Sequence, residues 1–341
     1  MKALVLKRYG KSKQLEFAEI PRPVIKPDEM LVQVHAVGLN PIDNLIPTGA
    51  FKAIVKLSLP ATMGSDLAGV VIDVGSKVTR FKPGDSVFAS IFDSGAGSLA
   101  EFAVVPESVA AIKPTNLDFI QAASIPMVGL TSWQALKERA RIKSGQKVFI
   151  PAGSGGIGSF AIQLAKYLGA KVGTTTSTGN VDMVRRLGAD EVIDYKKEEF
   201  EDVLHDYDAV LVTLKGDVIE KSLQILKPKS SVVSLVGPPD VSFARARGMN
   251  VLMQFVFGLL SSKILRQARK RDVQYSFLFA HPDGNQLAEI GKLLELGHIH
   301  PVIDKVFPFY QTKEALAYLE EGRTKGKVVV KVLENFEYLL N

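Results

Sequence analysis

The chain has 341 residues, 46% of them hydrophobic, and a net charge of +6, which suits a globular protein of about two domains. It contains no cysteine, which excludes disulfides, thiolate zinc sites and a cysteine nucleophile. No run reaches the roughly 18 uninterrupted apolar residues of a membrane span, and the start Met1–Lys7 lacks the apolar core and cleavage site of a secretory signal; the expectation is a cytoplasmic protein.

The first third reads as short strands. Leu31–Val37 alternates on a strand period, Ala68–Val74 is a second strand closed by Gly75-Ser76, and the turn Phe81–Asp85 leads into Ser86–Ala89. Such strands, punctuated by Pro and Gly, predict a small barrel or sandwich over 1–119. The rhythm then changes. Val148–Ile150 runs into a glycine-rich turn, and behind it Ile157, Phe160, Ala161, Leu164, Ala165 and Leu168 repeat on one helical face. Strand-like runs at Lys171–Thr174, Glu191–Ile193, Ala209–Val212 and Ser231–Val236 alternate with helical stretches at Val181–Leu187 and Val218–Leu226. Alternation of this kind predicts a parallel sheet over 120–280. Asn285–Leu296 reads as a helix and Lys327–Val332 as a strand, so that 281–341 returns to complete the first domain.

The turn contains the G-x-G-x-x-G spacing at Gly153, Gly155 and Gly158. Between a strand and an amphipathic helix, small residues let the backbone approach a pyrophosphate, and the helix N-terminus offers free N–H groups to it. Gly153, Ser154, Gly155, Gly156, Ile157 and Gly158 are therefore candidate cofactor residues. The alternative is a tight strand–helix turn without a ligand. Where NAD-binding units place a carboxylate after the second strand, this chain has Thr174–Thr178. Ser177 and Thr178 offer hydroxyls to a 2′-phosphate, with Tyr195 after the next strand; a plain polar loop is the competing reading.

These features resemble the medium-chain dehydrogenase/reductase superfamily over nearly the whole chain. Matching runs are Gly38–Asp43, Gly64–Gly69, Gly129–Ser132, Leu187–Asp190, Val192–Tyr195 and Gly322–Lys327. The resemblance implies an α/β fold in which a Rossmann doubly wound parallel sheet is inserted into a GroES-like β-rich domain. It implies a cofactor across the sheet's C-terminal edge, a substrate cleft between domains and a homodimer. Asn40-Pro41-Ile42-Asp43 looks like the zinc-free quinone oxidoreductase and enone reductase branch. Zinc members carry a Cys near Asn40 and a His-Glu pair near Ser65-Asp66, and neither is present here, so no metal is expected. In that branch a Ser matching Ser177 and a Tyr matching Tyr195 hold the 2′-phosphate; the Lys that accompanies them is replaced by Gly179. The NADPH assignment rests on Ser177, Thr178, Tyr195 and Lys325, with Thr131 and Val236 as further cofactor contacts.

The implied activity is hydride transfer from NADPH to a quinone or an α,β-unsaturated carbonyl. Asn40 is the expected donor to the substrate oxygen through its amide NH₂, and Asp43 the expected holder of the loop or of a water; an Asn-Pro turn capped by Asp43 is the structural alternative. Rival functions are a zinc-free carbonyl or acyl-thioester reductase, and a non-catalytic protein that binds RNA or membrane on the same fold. No nucleic-acid partner is expected. The segment 245–271 carries Arg245, Arg247, Lys263, Arg266, Arg269, Lys270 and Arg271 around the apolar Val251–Phe257. The preferred reading is a helix covering the cleft and packed by its apolar face, and the alternative is a membrane-surface helix.

Overall fold

In the computed structural model, residues 1–10, 14–52, 54–95 and 97–333 are described. They form two compact units: Met1–Leu130 with His281–Asn341, of which 334–341 lie outside the described residues, and Thr131–Ala280. The division falls at 130/131, after the helix Phe119–Ala123 and the first turn of Pro126–Trp133, rather than at the 119/120 boundary drawn from the sequence. The helix Phe119–Ala123 packs on the long strand Glu29–Leu39 of the outer unit, a contact that local periodicity does not reveal.

The outer unit holds a three-stranded sheet, ordered Leu15–Glu19, Lys2–Leu6, Ala61–Thr62, and a seven-stranded sheet. The larger sheet is ordered Ile303–Pro308, Lys327–Lys331, Glu29–Leu39, Asp66–Val74, Ser86–Ser90, Ala110–Ile112, and Phe102–Pro106 also pairs with Glu29–Leu39. Val, Ala and Leu on the inward positions are fully buried, which is the main stabilising term for such a sheet. The return of the C-terminal segment is decided by register. Val328 lies opposite Leu39 and Lys331 opposite Ala36 in an antiparallel pair. That register carries Lys327 to the end of the strand where the chain turns through Asn40. On its other side, Ala36 pairs with Ala68, which brings the start of Asp66–Val74 to the same end.

The inner unit is a six-stranded sheet in which every neighbouring pair is parallel. Its order is Glu191–Asp194, Lys171–Thr176, Lys147–Ile150, Tyr207–Val212, Leu226–Ser234, Gln274–Phe277. The helix Gly156–Tyr167 follows the central strand, and it buries Phe160, Ala161, Leu164 and Ala165, the apolar stripe visible in the sequence. The α/β class and the parallel sheet are thus as expected.

Candidate active site

The inner unit gathers the glycine turn and the hydroxyl run at the C-terminal ends of adjacent strands. Thr174 pairs with Ile150 and Thr176 with Asp194, so Pro151–Gly155 lies beside Thr175–Thr178. Two bonds fasten the turn: the Gly153 amide donates to the Thr175 carbonyl at 3.0 Å, and the Ala152 amide to Thr175 Oγ1 at 3.1 Å.

The three glycines have different reasons. A Cβ on Gly153 would lie 2.1 Å from Thr174 Oγ1, and one on Gly158 would lie 2.3 Å from the Ala152 carbonyl oxygen. Packing alone demands those two. A Cβ on Gly155 would meet only the Ala152 carbonyl oxygen, at 3.4 Å. Gly155 is the N-cap of the helix Gly156–Tyr167 and supplies no side chain to its first turn. The first N–H groups of that helix have no intrahelical partner, and the open space at Gly155 leaves them accessible. A dinucleotide pyrophosphate fits this arrangement of bare donors and positive helix end.

Beside the turn, Thr176 Oγ1 donates to Ser154 Oγ at 3.1 Å, and Asn180 Nδ2 donates to Ser154 Oγ at 3.4 Å and to Ser177 Oγ at 3.2 Å. The Tyr195 amide donates to the Thr176 carbonyl at 3.2 Å, and its ring is exposed. Ser154, Ser177 and Tyr195 therefore belong to one cluster. Thr178 is differently placed: its hydroxyl donates to Asp194 Oδ2 at 2.6 Å. Asp194 also accepts from the Lys196 amide at 3.1 Å and lies 3.6 Å from Lys197 Nζ. The Thr178 hydrogen bond, first among these causes, holds its carboxyl below the usual range. The hydroxyl run is thus not free of carboxylates, because the neighbouring strand supplies one; no reading of Lys171–Thr178 by itself could reveal it. Ile157 lies in the first helical turn, Thr131 is buried in the helix Pro126–Trp133, and the Val236 amide donates to Ser234 Oγ at 3.3 Å. Lys325 is an exposed residue of the outer unit.

The outer unit holds a buried polar network. Asn40, Asp43, Ser65, Asp66 and Lys327 are each at most 5% exposed. Asn40 is the hub. Its Oδ1 accepts from Lys327 Nζ at 2.6 Å, and its Nδ2 donates to Asp66 Oδ2 at 2.9 Å and to the Gly38 carbonyl at 3.3 Å. Its own amide donates to Asp43 Oδ2 at 2.8 Å. Ser65 Oγ donates to Asp43 Oδ1 at 2.6 Å, and the Met127 amide donates to Asp66 Oδ2 at 3.0 Å. Lys327 Nζ also donates to the Leu39 carbonyl at 2.7 Å and stands 3.9 Å from Asp66 Oδ2.

This corrects the expectation of a free Asn40 amide. Both its hydrogens are directed into the network, because Lys327 orients the carbonyl end and Asp66 and Gly38 capture the NH₂ end. Asp43 accepts from both the Asn40 amide and Ser65, and with Ser65 it lines a small cavity bordered by Ile46, Val55, Thr62, Met63, Ile91 and Asp93. Burial pushes the Asp43 carboxyl up to about 6 and raises Asp66 as well, while burial lowers Lys327. Desolvation disfavours each charge by itself, and their mutual proximity offsets part of that cost. Asp66 and Lys327 were legible only as isolated charges at the heads of Leu67–Val71 and Val328–Val330.

Residues 26–115 match the model of the alcohol dehydrogenase GroES-like domain, and 187–330 match that of the zinc-binding dehydrogenases. The NAD(P)H oxidoreductase RTN4IP1, mitochondrial, of Danio rerio is 35% identical, with 98% of this chain and 92% of that protein covered. The chain belongs to the medium-chain dehydrogenase/reductase superfamily. Another member, the chloroplastic NADPH-dependent alkenal/one oxidoreductase of Arabidopsis thaliana, is 35% identical over 97% of this chain and 79% of its own length. Among solved structures of the superfamily, the quinone oxidoreductase from Coxiella burnetii superposes with a TM-score of 0.83 at 31% identity, covering 98% of this chain and 99% of its own. The chain is an NAD(P)H-dependent oxidoreductase of this superfamily. It has no thiolate to contribute to a metal, and among the described residues no group of three His, Cys, Asp or Glu could hold one.

Proposed function

We propose that this chain is a zinc-independent, NADPH-preferring reductase of quinones and α,β-unsaturated carbonyl compounds. The observation that carries the reading is the buried Asp43–Ser65 hydrogen bond, with the Asp43 carboxyl pushed up to about 6 by burial. A buried carboxyl of raised affinity for protons, hydrogen-bonded to a serine, is suited to donate to the oxygen of a conjugated carbonyl or quinone. Bound NADPH supplies the hydride, which adds to the β-carbon of an enone or to the quinone ring. Negative charge then develops on the substrate oxygen. Asp43 in its acid form donates to that oxygen, Ser65 is hydrogen-bonded to the same carboxyl, and solvent restores the proton. Asn40 acts as a positioning residue, holding Asp43 through its backbone amide.

Relatives named for NADPH, alkenals and quinones support the same substrate class. The preference for NADPH rests on Ser177 at the end of the strand Lys171–Thr176, with Asp194 turned toward Thr178 and Lys197. Ser154 and Tyr195 complete the 2′-phosphate cluster, and Thr131 and Val236 are further cofactor contacts.

The test uses NADPH deuterated at the transferred position and a simple enone. Deuterium at the β-carbon of a saturated ketone is the expected product. Deuterium on a carbinol carbon, with the double bond intact, rejects the reading in favour of carbonyl reduction.

A further inference from the structure

The helix Val251–Lys270 of the inner unit is divided lengthwise and crosswise. Phe257, Ser261, Ile264 and Ala268 are buried, at the i, i+4, i+7, i+11 spacing of a single stripe. Ile264 and Ala268 pack into the core with Val232, Val273 and Tyr275. The opposite sector faces outward. In its first half that sector presents Val251, Leu252, Phe255 and Leu259, which are 79%, 68%, 63% and 58% exposed. In its last half it presents Lys263, Arg266 and Lys270, all exposed. At 3.6 residues per turn these positions fall on one side of the helix. The most apolar residues of the segment are therefore not its packing face, contrary to the reading of a cover held down by that face.

The charge is as segregated as the apolar surface. Residues 241–271 hold seven Lys and Arg and no Asp or Glu, against +6 for the whole chain. Two of the seven are tied within the unit: Lys263 lies 3.3 Å from Glu220 Oε1, and Arg271 donates to the Leu223 carbonyl at 3.0 Å. Arg266, Arg269 and Lys270 are exposed and take part in no salt bridge among the described residues.

We infer that the outward sector of Val251–Lys270 docks on an anionic phospholipid bilayer. Only a bilayer surface places an anionic layer directly over an apolar one, in the order this helix presents. Val251, Leu252, Phe255 and Leu259 enter the acyl boundary, and Arg266, Arg269 and Lys270 stay at the headgroup phosphates, so the helix lies tilted. A nucleic acid has no counterpart for four exposed aliphatic and aromatic side chains spaced along a helix. A second copy of this chain would bring an equally cationic helix against this one. The inference is independent of which substrate the enzyme reduces.

The test is co-sedimentation of the full chain with vesicles of equal parts phosphatidylcholine and phosphatidylglycerol at low salt, beside vesicles of phosphatidylcholine alone. Pelleting with the anionic vesicles only, reversed by high salt, is expected. Arg266→Gln with Lys270→Gln is expected to weaken binding by roughly 30-fold, from about fivefold per basic residue. Phe255→Ser with Leu259→Ser is expected to abolish it. Both double variants lie on exposed positions and should keep the melting temperature and NADPH oxidation of the parent. In Phe255→Trp, tryptophan emission is expected to move to shorter wavelength when anionic vesicles are added. Failure to pellet overturns the inference. So does pelleting without the emission shift, which means adsorption by charge alone. A change of oligomeric state in Phe255→Ser with Leu259→Ser assigns the face to a second copy, and salt-dependent binding of single-stranded RNA without vesicle binding assigns it to nucleic acid.

Discussion

Lys327 Nζ donates to Asn40 Oδ1 at 2.6 Å across 287 positions of sequence, with both side chains buried. That bond turns the Asn40 amide so that its NH₂ meets Asp66, and it joins the C-terminal return to the loop that carries Asp43. Removing the cation leaves Asp66 buried without an opposite charge. Lys327→Met is expected to lower stability by about 3 kcal/mol, near the bottom of the range for breaking a buried pair. Urea unfolding measures it. Adding Asp66→Asn to that variant should recover part of the loss, since it removes the uncompensated charge; strictly additive losses would show that the two residues do not interact.

Asp43 links the network to pH. Its folded-state pKa of about 6 exceeds the ordinary 3.8 because burial penalises the charged form. A raised carboxyl binds its proton more tightly when folded. Its stabilising contribution is full below about pH 4 and is lost as pH rises through about 6. At 1.36 kcal/mol per unit the difference is about 3 kcal/mol. Asp43→Asn should remove this slope, seen by comparing urea midpoints of parent and variant from about pH 4 to pH 7. An identical slope in the variant would assign the titration elsewhere.

The same titration should appear in turnover. If the acid form of Asp43 donates to the developing oxyanion, kcat for a slow enone decreases as pH rises through about 6. Asp43→Asn should abolish that limb and lower kcat by about 100-fold, in line with loss of one oxyanion donor. A parent profile flat from about pH 5 to pH 8 rejects the role.

The glycines of the turn should separate by assay. Gly158→Ala forces a Cβ to 2.3 Å from the Ala152 carbonyl oxygen and is expected to cost about 2 kcal/mol of stability. Gly155→Ala meets nothing closer than 3.4 Å. It should fold as the parent does yet bind NADPH about tenfold more weakly, because its methyl enters the approach to the helix N-terminus. Fluorescence titration of reduced cofactor reads the second effect, and equal affinity would show that the pyrophosphate does not lie there.

Ser177→Asp places a carboxylate where the 2′-phosphate is expected, beside a hydroxyl cluster that already borders Asp194. Affinity for NADPH should drop by tenfold or more, about the worth of one charge-assisted hydrogen bond, while affinity for NADH holds or rises. Parallel titrations of the two cofactors decide it.

By itself the sequence determined what depends on near neighbours. Alternation identified the strands Glu29–Leu39 and Asp66–Val74, the 3.6-residue period identified the helix Gly156–Tyr167, and Gly153, Gly155 and Gly158 announced the tight strand–helix turn before it, because each signal is local in sequence. The absence of cysteine needed no structure at all. Tertiary structure decided what depends on register between elements distant in sequence. Val328 opposite Leu39 delivers Lys327 to Asn40 and so occupies the amide that the sequence offered to substrate. Thr176 opposite Asp194 sets a carboxylate against Thr178. The rotation of Val251–Lys270 about its axis was likewise undetermined, since apolar residues lie on two of its sides and only packing against Val232, Val273 and Tyr275 selects which of them is buried. Local spacing cannot encode these choices, because strand pairing and helix docking depend on burial and charge contributed by chain segments up to hundreds of residues away.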